Sequence, residues 1–589
     1  MRTSALPVVL SAVLLLAGCT SAPSAEVAAG TSGDAAVPAE VRTAPPGEPL
    51  TVVADPGAVE AAASASRALF ARAEVAVVAR DGDAAGVLLG ASAAAGLGVP
   101  LLLEPGDGTP AAALAEELDR LGTTTVLAVG GAKGDAPAGG APADGAAEDG
   151  VSGAAAPDGT PSTSGARDGE GPEEVAVPAD PGAVAAATGL DWADVVEVPD
   201  GGAAAAVAAL DADDPVALRP AGAGAPASGD GTGEARVLPG VTRTEPRAGT
   251  LLLATGGAET VAGVATARAA GARVQVTGGA TDPRGVPDVV AAMGEDPPES
   301  VVVLGAGFAA EDGLDWKLAT AVTGTQLPAG GQLLFPASFL VALYGTPGSG
   351  ALGVLGEQDL PASIERARAH AADYEPLVDA TVVPAFEIIA TVASAAAGPD
   401  GDYSAESEVE ALRPWVEGAG EAGLYVVLDL QPGRTDFVTQ AERYRPLLEL
   451  PHVGLALDPE WRLGPDQVHL RQIGSVGIDE VNRVVTWLAD LTRGNRLPQK
   501  LLVLHQFQVR MIPGRDRLDT SRDELALVVH VDGQGTQPAK QETWRTLRGI
   551  GPEGIAWGWK NFYDEDRPVL TPQQTVEQVA PLPQLVTYQ

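Results

Sequence analysis

The chain has 589 residues and a formal net charge of −41, from 37 basic and 78 acidic side chains. That length supplies several domains with real cores, and the charge repels nucleic-acid phosphates and anionic headgroups, so no nucleic-acid partner is expected. A single cysteine excludes an internal disulfide and a thiolate metal cluster.

The chain begins "MRTSALPVVLSAVLLLAGCTSAPSAE". Arg2 precedes an apolar run, Leu6 to Leu16, that is too short for a stable membrane span, and small residues follow. This is the pattern of an export signal over residues 1–18. The "LAGC" segment resembles a bacterial lipobox, which implies cleavage before Cys19, lipidation of Cys19 and a membrane anchor on the extracytoplasmic face. Residues 19–48 are small, polar and proline-bearing, the composition of a flexible tether. No later run reaches about 18 uninterrupted apolar residues, so no second span is expected.

From residue 49 the pattern alternates short β runs with alanine-rich helices. "AEVAVVARDG", "VPLLLEPGDG" and "TTTVLAVGG" read as strands, with "DAAGVLLGASAAAGLG" and "TPAAALAEELDRLG" as the helices between them. Such spacing predicts βαβ units and a parallel sheet over 49–131. Residues 132–173 have no periodicity and are expected to be a disordered insert. The βα pattern returns, degenerate, over 174–330, with "GTLLLATGGAETVAGVATARAAGARVQVTGG" and "ESVVVLGAGF" the best-formed parts. Val75 to Gly131 resembles one unit of the type 2 cell-wall-binding repeat, with its "P-L-L-L" strand, alanine-rich helix, "L-G" step and "V-G-G" end; Leu251 to Phe308 matches more loosely. The resemblance implies binding to anionic polymers of the Gram-positive wall. A scaffold that only positions the next domain is the alternative, because this copy carries few basic residues. The "TGG", "VGG" and "LGAG" triplets lack a following lysine and read as strand-end turns rather than a phosphate loop.

Composition shifts near residue 333: all five histidines, all seven tyrosines and six of eight tryptophans lie beyond it. Residues 333–589 give about seven β/α repeats, which fits the roughly 250 residues of a (β/α)8 barrel with one unit short or irregular. An open doubly wound sheet is the alternative. The strands begin apolar and end polar. Glu387 closes the second, Asp429 and Gln431 the third, Asp458 and Glu460 the fourth, His505 and Gln506 the fifth, and His530 and Asp532 the sixth; Lys560 follows Trp557 and Trp559 in the seventh. In a parallel barrel these ends converge on one rim.

Paired carboxylates suit acid/base cleavage of a glycosidic bond. Asp429, Asp458 and Glu460 are the leading candidates, with Glu387 and Asp532 behind them. Gln431, Trp461, His505, Gln506, His530, Trp559 and Lys560 are candidates for substrate binding, and Trp461, Trp559, Phe562 and Tyr563 for stacking on sugar rings. "LALDPEW", "LHQF", "HVDGQG" and "GWKNFYDED" resemble the glycoside-hydrolase-type barrels of uncharacterised bacterial lipoproteins, which implies a barrel fold and an envelope polysaccharide as partner. No cofactor and no metal are expected on this reading. A metal-dependent hydrolase using His505, His530, Asp532 and Asp458 is one competing class, although no H-x-H or H-E-x-x-H occurs. A non-catalytic glycan-binding lipoprotein is another. Within "VGLALDPEWRLG", Asp458 and Glu460 either reach the rim, cap the next segment or pair with Arg462.

Overall fold

The computed structural model describes residues 37–130, 171–223 and 236–589. The expected signal, Cys19 and most of the 132–173 insert lie outside the described residues. The chain is mixed α/β throughout, with parallel sheets in its N-terminal half and a closed barrel in its C-terminal half.

The N-terminal half contains two four-stranded parallel sheets with a shared logic. In one, Val75–Arg80 lies between Leu101–Glu104 and Thr125–Val129, and Glu173–Val177 forms the far edge. In the other, Thr250–Ala254 lies between Arg273–Val276 and Ser300–Leu304, and the far edge is Leu50–Val53, from the start of the fold. The degenerate middle region keeps only a parallel pair, Val195–Val198 with Ala217–Pro220. Small side chains let the helices of different units touch. A Cβ placed on Gly263 would stand 3.1 Å from that of Ala65, and Thr266 bonds both backbone groups of Leu101 from the neighbouring unit.

The expected tether ends earlier than residue 48. Ala39–Thr43 is a strand, antiparallel to Phe70–Ala73 and parallel to Val241–Thr242, with Ala39, Val41 and Thr43 buried on one face. Period-two burial overrides the polar composition there. Likewise Glu173, set at the end of the insert, already belongs to a strand.

Helix Leu314–Ala321 docks this half onto the barrel. The Trp316 ring lies between the guanidinium groups of Arg284 and Arg493, at 4.3 and 4.6 Å, and Lys317 pairs with Asp523 at 2.6 Å. Leu327 and Leu334 then pack among the inward residues of the barrel strands and close its N-terminal end.

Eight strands form the barrel: β1 Ser338–Gly345, β2 Thr381–Ala393, β3 Tyr425–Leu430, β4 Val453–Leu457, β5 Lys500–Gln506, β6 Leu525–Val531, β7 Ala556–Asn561 and β8 Leu585–Tyr588. Each pairs in parallel with its neighbours, and β8 bonds both β7 and β1, so the sheet closes and the open-sheet alternative falls. The eighth strand was not among the expected units. It is four residues of "LVTY" between a proline-rich loop and Gln589. The irregular unit is the β5–β6 connection, which holds only short 3-10 turns, Val509–Met511 and Arg515–Arg517.

Alternation along the strands gives the barrel a dry lower interior of Leu340, Val383, Tyr425, Leu501, Val503 and Val528. Gly454 makes room for the Tyr425 ring. A methyl group there would lie 2.7 Å from the Leu501 carbonyl oxygen and 3.1 Å from the Tyr425 hydroxyl, which itself accepts the Leu501 N–H at 3.0 Å. Gly454→Ala is therefore expected to destabilise the barrel by about 1–3 kcal/mol through overpacking, measured by urea unfolding.

Candidate active site at the barrel rim

The parity that makes the lower interior apolar places polar residues in the layer above it. Tyr344, Asp429, His505, His530, Lys560 and Thr587 project inward from β1, β3, β5, β6, β7 and β8 near their C-terminal ends, and Asp458 and Asp532 follow β4 and β6 directly. Glu387 does not close β2 as expected but projects inward from its middle, because that strand runs on to Ala393. Register fixes them side by side: Tyr344 is level with Glu387, His505 with His530, and Lys560 with Thr587. Gly558 is dictated by this crowding, since a Cβ there would stand 2.4 Å from the His530 ring.

At the centre, the fully buried His505 imidazole meets a carboxylate at each nitrogen. Nε2 donates to Glu387 Oε1 at 2.7 Å and Nδ1 to Asp532 Oδ2 at 2.9 Å, with Asp429 Oδ1 3.9 Å from Nε2. A carboxyl group at each nitrogen favours the doubly protonated ring. Burial opposes that charge, but Glu387, Asp532 and Asp429 outweigh it and hold the His505 pKa well above the usual histidine range. Burial and the His505 charge keep His530, 3.4 Å away, neutral by pushing its pKa well down.

The carboxyl groups are pushed apart in proton affinity. Burial, with the charges of Glu460 and Asp429 beside it, raises Asp458 well above the usual range. Burial and Asp532 push Glu460 up to about 7. Burial raises Asp429 to about 6 against the pull of His505, while the Tyr344 hydroxyl donates to its Oδ2 at 2.9 Å. Asp532 goes the other way: burial disfavours its charge, but the hydrogen bond and charge of His505 more than reverse this and lower its pKa.

Above this layer opens a cavity of about 300 Å³, lined by Tyr344, Gln431, Asp458, Glu460, Trp461, Phe507, Asp532, Lys560 and Phe562, among others. Of the expected site residues, Asp458, Glu460, Asp532, Gln431, Trp461 and Lys560 reach it. Glu387, Asp429, His505 and His530 lie buried beside or beneath it. Two do not belong to it. Gln506, next to the inward His505, turns outward, accepting from Arg515 and donating to the carbonyls of Gln508 and Val509 at 3.1 and 3.3 Å. Trp559, between the inward Gly558 and Lys560, packs outside the sheet against Trp544 at 5.8 Å, with its N–H on Asn561. Tyr563 is also outside the cavity, bonded to His370 at 2.7 Å. Tyr344 and Phe507 were not singled out in the sequence; for Tyr344 the signal was present, since Leu340, Ala342 and Tyr344 share one face of β1.

In "LDPEW", Asp458 both caps and faces the cavity: its Oδ1 accepts the Glu460 N–H at 3.3 Å at the start of a 3-10 turn, Pro459–Trp461. Arg462 is held by Glu480 at 3.0 Å and neutralises neither acid.

Glu387, His505 and His530 each place one ligand atom within 4.8 Å of the others. Both His505 nitrogens already face carboxylates, Glu387 at Nε2 and Asp532 at Nδ1, so a metal ion held by these three residues would take the place of the proton now shared between His505 and Glu387. No family model, curated protein or solved structure matches this chain.

In an NMR titration of the histidine side chains, His505 is expected to stay protonated through neutral pH while His530 stays neutral. Glu387→Gln removes a partner of the charged ring and should move the His505 titration to lower pH; an unmoved titration contradicts the imidazolium assignment.

Proposed function

We propose that the barrel is a glycoside-hydrolase-type enzyme acting on envelope polysaccharide. The observation that carries this reading is a pair of carboxyl groups, Glu460 and Asp532, lining one cavity at the C-terminal rim of the barrel together with Trp461, Phe507 and Phe562. Burial raises Glu460 to about 7, while His505 lowers Asp532 against its burial. Paired acids driven apart in this way divide the work of glycoside cleavage. Glu460, protonated at mildly acidic pH, donates to the leaving oxygen. Asp532, kept ionised by His505, attacks the sugar or activates water. Asp429 and Asp458 shape the field around them, and Trp461, Phe507 and Phe562 offer faces or edges to a sugar ring. On this reading the N-terminal α/β half is a degenerate wall-binding region, and lipidated Cys19 anchors the whole outside the membrane.

The test is mass spectrometry of products released from isolated native envelope glycans by a soluble form lacking residues 1–36. Oligosaccharide release is expected, with Glu460→Gln and Asp532→Asn each lowering it on the order of 10²–10⁴-fold. Release should also fall as pH rises through about 7, because the acid must hold its proton to donate it. Loss of release on adding a chelator would point to a metal-dependent hydrolase instead, and retention of glycan without release to a binding module. For the anchor, Cys19→Ala in the full chain is expected to abolish fatty-acid labelling and detergent-phase partitioning.

A further inference from the structure

Four lysines lie among the described residues, and all four are buried. Three have their donors occupied. Lys317 pairs with Asp523 at 2.6 Å, Lys500 donates to the carbonyls of Leu450 and Val453 at 2.8 Å, and Lys540 bonds Asp566 at 2.5 Å and the Lys560 carbonyl at 2.7 Å. Lys560 is the exception. Its side chain is 3% exposed and lines the cavity, yet among the described residues it has no hydrogen-bond partner and no carboxylate oxygen within 4.0 Å. Its Nζ sits 3.5 Å from the centre of the Tyr344 ring and 5.0 Å from that of Phe562. Ring faces attract an ammonium without accepting its N–H groups in ordinary hydrogen bonds, so the three donors remain free.

A ligand that fills the cavity closes those donors off from solvent. A desolvated ammonium left unpaired is costly, and the acceptor that best offsets the cost is an anion. Glu460 and Asp532 line the same cavity and feel the Lys560 charge, yet neither has an oxygen within 4.0 Å of its Nζ. Long-range repulsion from the chain's net charge is screened over about 8 Å at physiological salt, so the local contact decides. Burial raises Glu460 to about 7, which lessens its repulsion of an anion on the acidic side of neutrality, and the charge on Asp532 is drawn toward His505.

We propose that Lys560 is a carboxylate-recognition residue and that the cavity takes a glycan built with acidic sugars of the uronic acid class. This rests on the hydrolase reading of the same cavity and gives it a substrate class.

The experiment uses the full chain in mild detergent, with a glucuronate-containing oligosaccharide and the same oligosaccharide after carboxyl reduction to its neutral form. Calorimetry reads binding and mass spectrometry reads cleavage, separately. The unaltered protein should bind the acidic chain at least about tenfold more tightly than the reduced one. Lys560→Met should bind both alike, and Lys560→Arg should keep part of the preference. Equal binding of the two chains by the unaltered protein, no binding of the acidic chain, or an unchanged preference in Lys560→Met each overturns the proposal. The reduced chain tests it on the unaltered protein even if the variant misfolds. Acidic chain bound but not cleaved sinks the hydrolase reading and leaves this one; cleavage of both chains at equal rates does the reverse.

Discussion

A protonated imidazole held between two carboxylates organises the upper end of the barrel. His505 ties β5 to Glu387 on β2, across the barrel, and to Asp532 at the end of β6, with no water-exposed atom in the set beyond the edge of Asp532. Ions buried in this way are expensive to desolvate, and removing one partner strands the other, so the three are bound to one arrangement. The remaining chemistry follows from that constraint. The hydrogen bond and charge of His505 lower Asp532 against its burial, whereas burial first, and the neighbouring charges second, lower His530 and raise Glu460 and Asp458.

The sequence disclosed the barrel because its strands are short apolar runs separated by helices at regular intervals, and because polar residues recur at the strand ends. Parity was readable where two polar residues stood two apart, as with Asp429 and Gln431 or His530 and Asp532. It failed where adjacent polar or aromatic residues offered no contrast. "HQ" in β5 puts His505 inside and Gln506 outside, and "WGWK" in β7 hides the inward positions behind a glycine and two outward tryptophans. The strand "LVTY" carries no polar signature long enough to notice, although its Thr587 reaches His530 at 3.2 Å. Which carboxylates share a cavity, and which are consumed by a buried histidine, depends on contacts between strands far apart in the chain, beyond the reach of any local pattern.

The two halves meet at the end of the barrel opposite the cavity. Leu327 and Leu334 seal that end, and the stacking of Trp316 between two guanidinium groups fixes the joint. The cavity mouth is thereby left to the loops after the strands, which is where a parallel barrel can vary its chemistry without disturbing its core. The paired sheets of the first half follow the same economy: Leu50–Val53 completes a sheet whose other three strands come some 200 residues later in the chain, so neither sheet edge is a free-standing local product.

That long reach recurs in the barrel, where Leu340 of β1 is registered with Leu585 of β8. The closing ladder joins the two extremes of the domain, a contact of the most distant kind a single domain can make, and loop-closure entropy makes such contacts form late. Until β8 is in place, β1 and β7 present unpaired parallel edges, the exposed geometry that invites wrong partners during folding. The topology thus couples closure to the polar layer: that layer, to which β8 contributes Thr587, is complete only once the last strand has been captured by the first.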